Sequence, residues 1–157
     1  MVSLQPLSGP GSVPAATAGA TFIADRLAAV RELTVFEAAG GMAYFEALVD
    51  RFYDGVATDP VLLRLYPEAP DLSGARHRLT LFLAQYWGGP TTYSDERGHP
   101  RLRMRHVPFA IGPAERDRWL VQMRAAIDAV DAPAEVRSRI HEYVTMGAEA
   151  MRNREAS

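Results

Sequence analysis

Along most of this chain the apolar positions recur three and four residues apart. In "MAYFEALVDRFYDGVA" they are Phe45, Leu48, Val49, Phe52, Tyr53 and Val56, one stripe on one helix. A second helix is expected over 73–87, with Leu79, Phe82, Leu83, Tyr86 and Trp87 on one face and "GGP" ending it. "GPAERDRWLVQMRAAIDAV" starts with Pro113 and gathers Arg116, Trp119, Leu120, Met123 and Ile127 near one side. "APAEVRSRIHEYVTMGAEAM" does the same with Val136, Ile140, Tyr143, Val144, Gly147 and Met151.

Shorter pieces fill the gaps. "TVFEAAGG" reads as a short helix capped by Thr34 and stopped by Gly40 and Gly41. "DPVLLRLY" begins with Asp59 as N-cap and Pro60 at the first helical position. "EAPDLSGA" is a connector, and "TFIADRLAAVREL" forms a further short helix. "GGPTTYSDERGHPRL" is some fifteen residues of turn formers without a regular period, a length that in compact domains goes with function. A helical piece around 101–107 follows, ended near Pro108. No alternating strand pattern occurs. The expectation is an all-α domain of about six unequal helices over 34–152, with a flexible extension over 1–33 and a tail over 153–157.

Composition narrows the chemistry. The chain has 157 residues and no cysteine, which removes thiolate metal sites, disulfides and Cys nucleophiles and is compatible with a reducing, cytoplasmic setting. Net charge is −2, which opposes nucleic-acid binding as the main business of the chain, although the arginine cluster described below keeps that alternative in play. No apolar run approaches a membrane span. No Gly-x-Gly-x-x-Gly nucleotide fingerprint is present.

The chemistry collects in "RGHPRLRMRHVPFAIG". It holds Arg97, Arg101, Arg103 and Arg105 and two of the four histidines, then turns apolar. His106 sits on the seam. A lone histidine at a helix end is ordinarily a cap or a surface residue. Here Met104, Val107, Phe109 and Ile111 surround it with apolar side chains. A neutral imidazole, greasy walls and cations at the edge are what a flat apolar metal cofactor with carboxylates needs, and haem fits. A zinc site would need three or four clustered ligands. "ERGH" has a Glu-x-x-His spacing, but it occurs once and in a loop.

"RFYDGVATDPVLLRLYP", "LFLAQYWGGPTTYSDERGHPRLRMRHVPF" and "ERDRWL" together resemble a truncated haemoglobin of group II, over residues 34–150. That resemblance implies a two-over-two helical sandwich with short extra helices. It implies His106 as the iron ligand of haem b. Tyr53, Tyr66 and Trp119 then lie on the distal side with Ala75 and Leu79. Arg78, Phe82, Tyr93, His99, Met104, Arg105, Phe109 and Ile111 border the cofactor, with Arg101 as a further helper at its edge. Two phenols and an indole are hydrogen-bond donors that favour negative charge on a bound ligand. The implied activity is tight, reversible binding of O2 and other diatomics such as CO and NO. Such binding suits scavenging, sensing or detoxification of NO or peroxide better than bulk transport, and a redox cycle would need a separate reductase. A haem-free globin-like sensor or interaction module is the alternative. The chain is expected to work as a monomer or homodimer.

Overall fold

Asp59 shows how this chain sets its helix boundaries. Its carboxylate accepts from the Val61 amide at 3.0 Å and caps the four-residue helix that Pro60 opens. The same carboxylate is buried and takes both of its other contacts from Arg118 Nε, at 3.0 and 2.8 Å. One side chain thus ends a turn and ties it to a helix 59 residues further on.

The computed structural model describes residues 33–156. The expected extension up to residue 32, with the helix of "TFIADRLAAVREL", lies outside them. Among the described residues there are eight helices and no strand. They are α1 (Val35–Ala39), α2 (Met42–Val56), α3 (Pro60–Leu63), α4 (Ser73–Tyr86), α5 (Thr92–Arg97), α6 (Leu102–His106), α7 (Pro113–Ala129) and α8 (Ala134–Ala150). Eight exceeds the six expected because four of them are only four to six residues long.

The four long helices form two packed pairs, α2 with α4 and α7 with α8, joined chiefly through α2 and α7. This is the two-over-two sandwich. Its core follows the stripe read from α2: Phe45, Leu48, Val49, Phe52 and Val56 are fully buried. Met123 and Ile127 of α7 and Ile140 of α8 meet them at 0% exposure. Tyr86 departs from the expected face. It is 52% exposed, because the α4 stripe ends a turn earlier at Phe82, Leu83 and Ala84.

Thr34 caps α1, accepting from the Glu37 amide at 3.1 Å, and Gly40 and Gly41 stop the helix with φ of 117° and 75°. Gly88 adopts φ 99°, and a Cβ there would come within 2.6 Å of the Thr34 side chain. The corner lets the Phe36 amide donate to the Trp87 carbonyl at 2.9 Å.

The irregular interval is more regular than its composition suggests. Thr92–Arg97 is a helix. Its amide at Ser94 donates to Gln85 Oε1 at 3.0 Å, and Gln85 Nε2 donates to Ser94 Oγ at 2.7 Å. A nonlocal glutamine thus supplies what the turn formers lack. No helix among the described residues is long and apolar enough to cross a membrane.

Candidate functional site

α6 is five residues long and carries Leu102 and His106 one turn apart on a single face. His106 Nδ1 lies 2.6 Å from the Leu102 carbonyl. A carbonyl can only accept, so Nδ1 must carry the proton. In that tautomer the lone pair is on Nε2. Metal-binding histidines are oriented in this way by a backbone carbonyl.

Two side chains fix the backbone around this ring. Arg105 donates from Nε to the Pro100 carbonyl at 2.6 Å and from Nη2 to the carbonyls of Arg97 and His99 at 2.9 and 3.2 Å. Asn153 donates from Nδ2 to the carbonyls of His106 and Phe109 at 3.1 and 2.8 Å, and its Oδ1 accepts from the Ile111 amide at 2.9 Å. The expected tail therefore begins with a residue bound into the domain.

His106 opens onto a cavity of about 680 Å³, within the range of small-molecule and cofactor sites. Leu62, Leu65, Leu79, Phe82, Leu83, Phe109, Ile111, Met123 and Val144 supply apolar walls. Tyr53, Tyr66 and Trp119 line the same cavity. The rings of Tyr53 and Tyr66 meet edge to face at 5.5 Å, and Trp119 meets Phe52 at 5.3 Å. Burial pushes the Tyr53 phenol well above the ordinary tyrosine value, and the neighbouring Tyr66 adds to the effect. Burial raises Tyr66 to about 12. Both phenols therefore remain protonated donors across the neutral range.

Of the residues expected at the site, Ala75, Leu79, Arg78, Phe82, Tyr93, Arg105, Phe109 and Ile111 also line the cavity. Arg78 stands 3.6 Å from Glu68, which borders the same space. Tyr93 is buried, edge-on to Phe82 at 5.6 Å and beneath the Arg105 guanidinium. Three expected residues, His99, Met104 and the edge helper Arg101, are elsewhere. His99 and Met104, with Arg97, Arg101 and Arg105, line a separate hollow of about 370 Å³ on the outer side. Met104 is 58% exposed because it lies two residues before His106, about 200° around the helix. His99 is drawn outward, its Nδ1 accepting from the Arg101 amide at 3.2 Å.

Other cavity residues were not expected there. Leu102, Arg97, Tyr143, Val144, Gly147, Ala148 and Met151 line it, the last five from α8 and its C-terminal end. Helical spacing of Val144, Gly147, Ala148 and Met151 could have shown the shared face, but not whether it met core or cavity.

The donor set suits haem. An imidazole with its lone pair free faces apolar walls, and arginines stand at the margin. Among the described residues no cluster of three or more His, Asp or Glu could hold a bare metal ion instead.

Residues 34–153 match the family model described as bacterial-like globin. The chain belongs to that family. It is 39% identical to a group 2 truncated haemoglobin of Bacillus subtilis over 113 residues, 72% of this chain and 84% of that protein. Among solved structures, a thermostable haemoglobin from the actinobacterium Thermobifida fusca is 57% identical, with a TM-score of 0.75, covering 77% of this chain and 98% of the other. A haemoglobin from the thermophilic phototroph Chloroflexus aurantiacus is 50% identical, with a TM-score of 0.76, covering 78% and 100%. This globin is of the truncated, group II kind, and such globins hold haem and bind small gases.

Proposed function

We propose that this globin holds haem b through His106 and binds O2, CO and NO tightly at the ferrous state. The observation that carries the reading is the hydrogen bond from His106 Nδ1 to the Leu102 carbonyl, which leaves Nε2 as the ligating atom. Haem supplies the redox-active iron to which a diatomic ligand binds. The chain supplies the rest. Leu79, Phe82, Val144 and their neighbours exclude water. Arg78 and Arg105 border the cavity, where Arg78 can face a carboxylate at the cofactor's edge, and Arg105 holds the loop.

Tyr53, Tyr66 and Trp119 offer three donors to a ligand atom that gains negative charge. Three donors in a water-poor cavity favour slow release. Slow release fits scavenging, sensing or removal of NO or peroxide better than transport, with electrons from a separate reductase.

The test is a hemin titration of the purified apoprotein followed by reduction and exposure to nitrogen, oxygen and carbon monoxide. A stoichiometric Soret band that shifts with each gas is expected. His106→Gly should lose iron ligation, and added imidazole should restore it. A protein that takes up no hemin overturns the reading in favour of a haem-free globin module.

A further inference from the structure

The arginine cluster is only partly absorbed by the cofactor site. Arg64, Arg76, Arg78, Arg116, Arg118 and Arg152 each pair with a carboxylate. Among the described residues, none of Arg97, Arg101, Arg103 and Arg105 does. The two nearest acids in sequence are engaged elsewhere: Glu96 with His77 at 3.1 Å, and Asp95 with the Thr91 hydroxyl at 3.3 Å.

Arg105 turns inward to its three carbonyls, whereas Arg97, Arg101 and Arg103 are exposed. Between them Met104 of α6 and Val107, the residue just after the helix, are 58% and 62% exposed. Exposed methionine among arginines is the composition of protein interfaces rather than of ordinary surface. The hollow beside it is preformed, because Arg105 braces the loop and Arg101 is held in a left-handed conformation with φ 42°. That hollow and the cofactor cavity share Arg97 and Arg105. A partner seated here is separated from the cavity by one short helix.

We infer that the exposed surface built from Arg103 and Met104 of α6 with the flanking Arg97, Arg101 and Val107 is the docking surface for the acidic face of a small one-electron carrier protein. The inference rests on the haem reading above, and it names the kind of partner that reading requires. Charge complementarity identifies the occupant: a local, unpaired positive patch on a chain of net charge −2 orients an acidic partner and speeds its encounter. Its position at the cavity margin selects a carrier over other acidic proteins.

The experiment titrates the haem-loaded protein with flavodoxin as an acidic carrier, by calorimetry and by NMR, at low and high salt. Binding that weakens with salt and perturbs Met104 and Val107 is expected. Arg103→Glu combined with Arg101→Asn, which tolerates the left-handed backbone, should raise Kd about tenfold or more. Arg51→Glu with Arg124→Gln changes net charge equally and should leave Kd unchanged. Equal weakening by both pairs, no salt-dependent binding, or tighter binding of duplex DNA than of flavodoxin would each overturn the docking surface. Hemin uptake is read on the same samples and flavodoxin binding also on the apoprotein. Uptake without docking removes the docking surface alone, whereas a protein that takes no hemin removes the haem reading, and the carrier with it.

Discussion

The side-chain amide of Asn153 is hydrogen-bonded to the backbone carbonyl of His106, 47 residues away in sequence. The same amide holds Phe109 and Ile111. His106 is therefore fixed from two sides, by Leu102 at its ring and by Asn153 at its backbone.

Asn153→Ala removes all three bonds. At about 1 kcal/mol each, the expected loss is ~1–3 kcal/mol, read as a lower urea midpoint. Haem transfer to an acceptor apoprotein should also speed up several-fold. Asn153→Asp should restore only the bond from the Ile111 amide. If neither the midpoint nor haem transfer changed in Asn153→Ala, the tail would be dispensable after all.

The proposed donor role of the three cavity-lining side chains Tyr53, Tyr66 and Trp119 makes a kinetic prediction. Trp119→Phe keeps an aromatic against Phe52 but loses the indole donor. A hydrogen bond to a charged acceptor is worth ~1.5–3 kcal/mol, so oxygen release should rise roughly tenfold to a hundredfold. Tyr53→Phe and Tyr66→Phe should also act, and because their rings touch, the double variant should differ from the sum of the singles. Stopped-flow displacement of O2 by CO measures all of them. Unchanged release in all three variants would show that the donors serve packing alone.

High pH tests the buried phenols. Burial raises Tyr53, Tyr66 and Tyr143, the last two to about 12. The folded protein keeps these protons after the unfolded chain, with its tyrosines near 10, has lost them. Their contribution to stability is thus complete below pH ~10 and is lost as pH rises from there through about 12. Urea midpoints recorded against pH, with phenolate absorbance, should show that decline, and Tyr66→Phe should make it shallower.

Acid tests the pair that joins α3 to α7. Arg118 holds the Asp59 carboxyl below the usual carboxylate range. Its contribution is present above the unfolded value, about 3.9, and is lost as pH falls through the lower folded one. Asp59→Ala removes the cap as well as the ion pair and should cost ~1–3 kcal/mol at neutral pH by denaturation. Asp59→Asn keeps the cap and should chiefly flatten the acid limb.

Much of this molecule was legible where structure is local. The α2 stripe, the Asp59–Pro60 start, the Gly40–Gly41 stop and the short helix that ends at His106 all follow from spacing within a few residues, whereas Met104 and Val107 point away from the cavity that Phe109 and Ile111 line. Nonlocal partners hid the rest. α5 has one buried residue, Tyr93, and depends on Gln85 from α4, so its own sequence reads as turns. Asn153 carries no local signal at all. Met104 neighbours His106 in sequence, but helical phase turns it outward and brings Leu102, a full turn away, to the cavity instead.

α6 has the cavity along one face and solvent along the other, and it is fastened to the rest of the chain through Arg105 and Asn153. What fills the cavity is therefore the material on which this helix packs. Ligand uptake and local ordering of residues 97–111 become one coupled equilibrium. On the haem reading proposed above, amide hydrogen exchange in that segment should slow on hemin addition far more than in α2 or α7, with the bound group serving as the hydrophobic core of the short helix beside it.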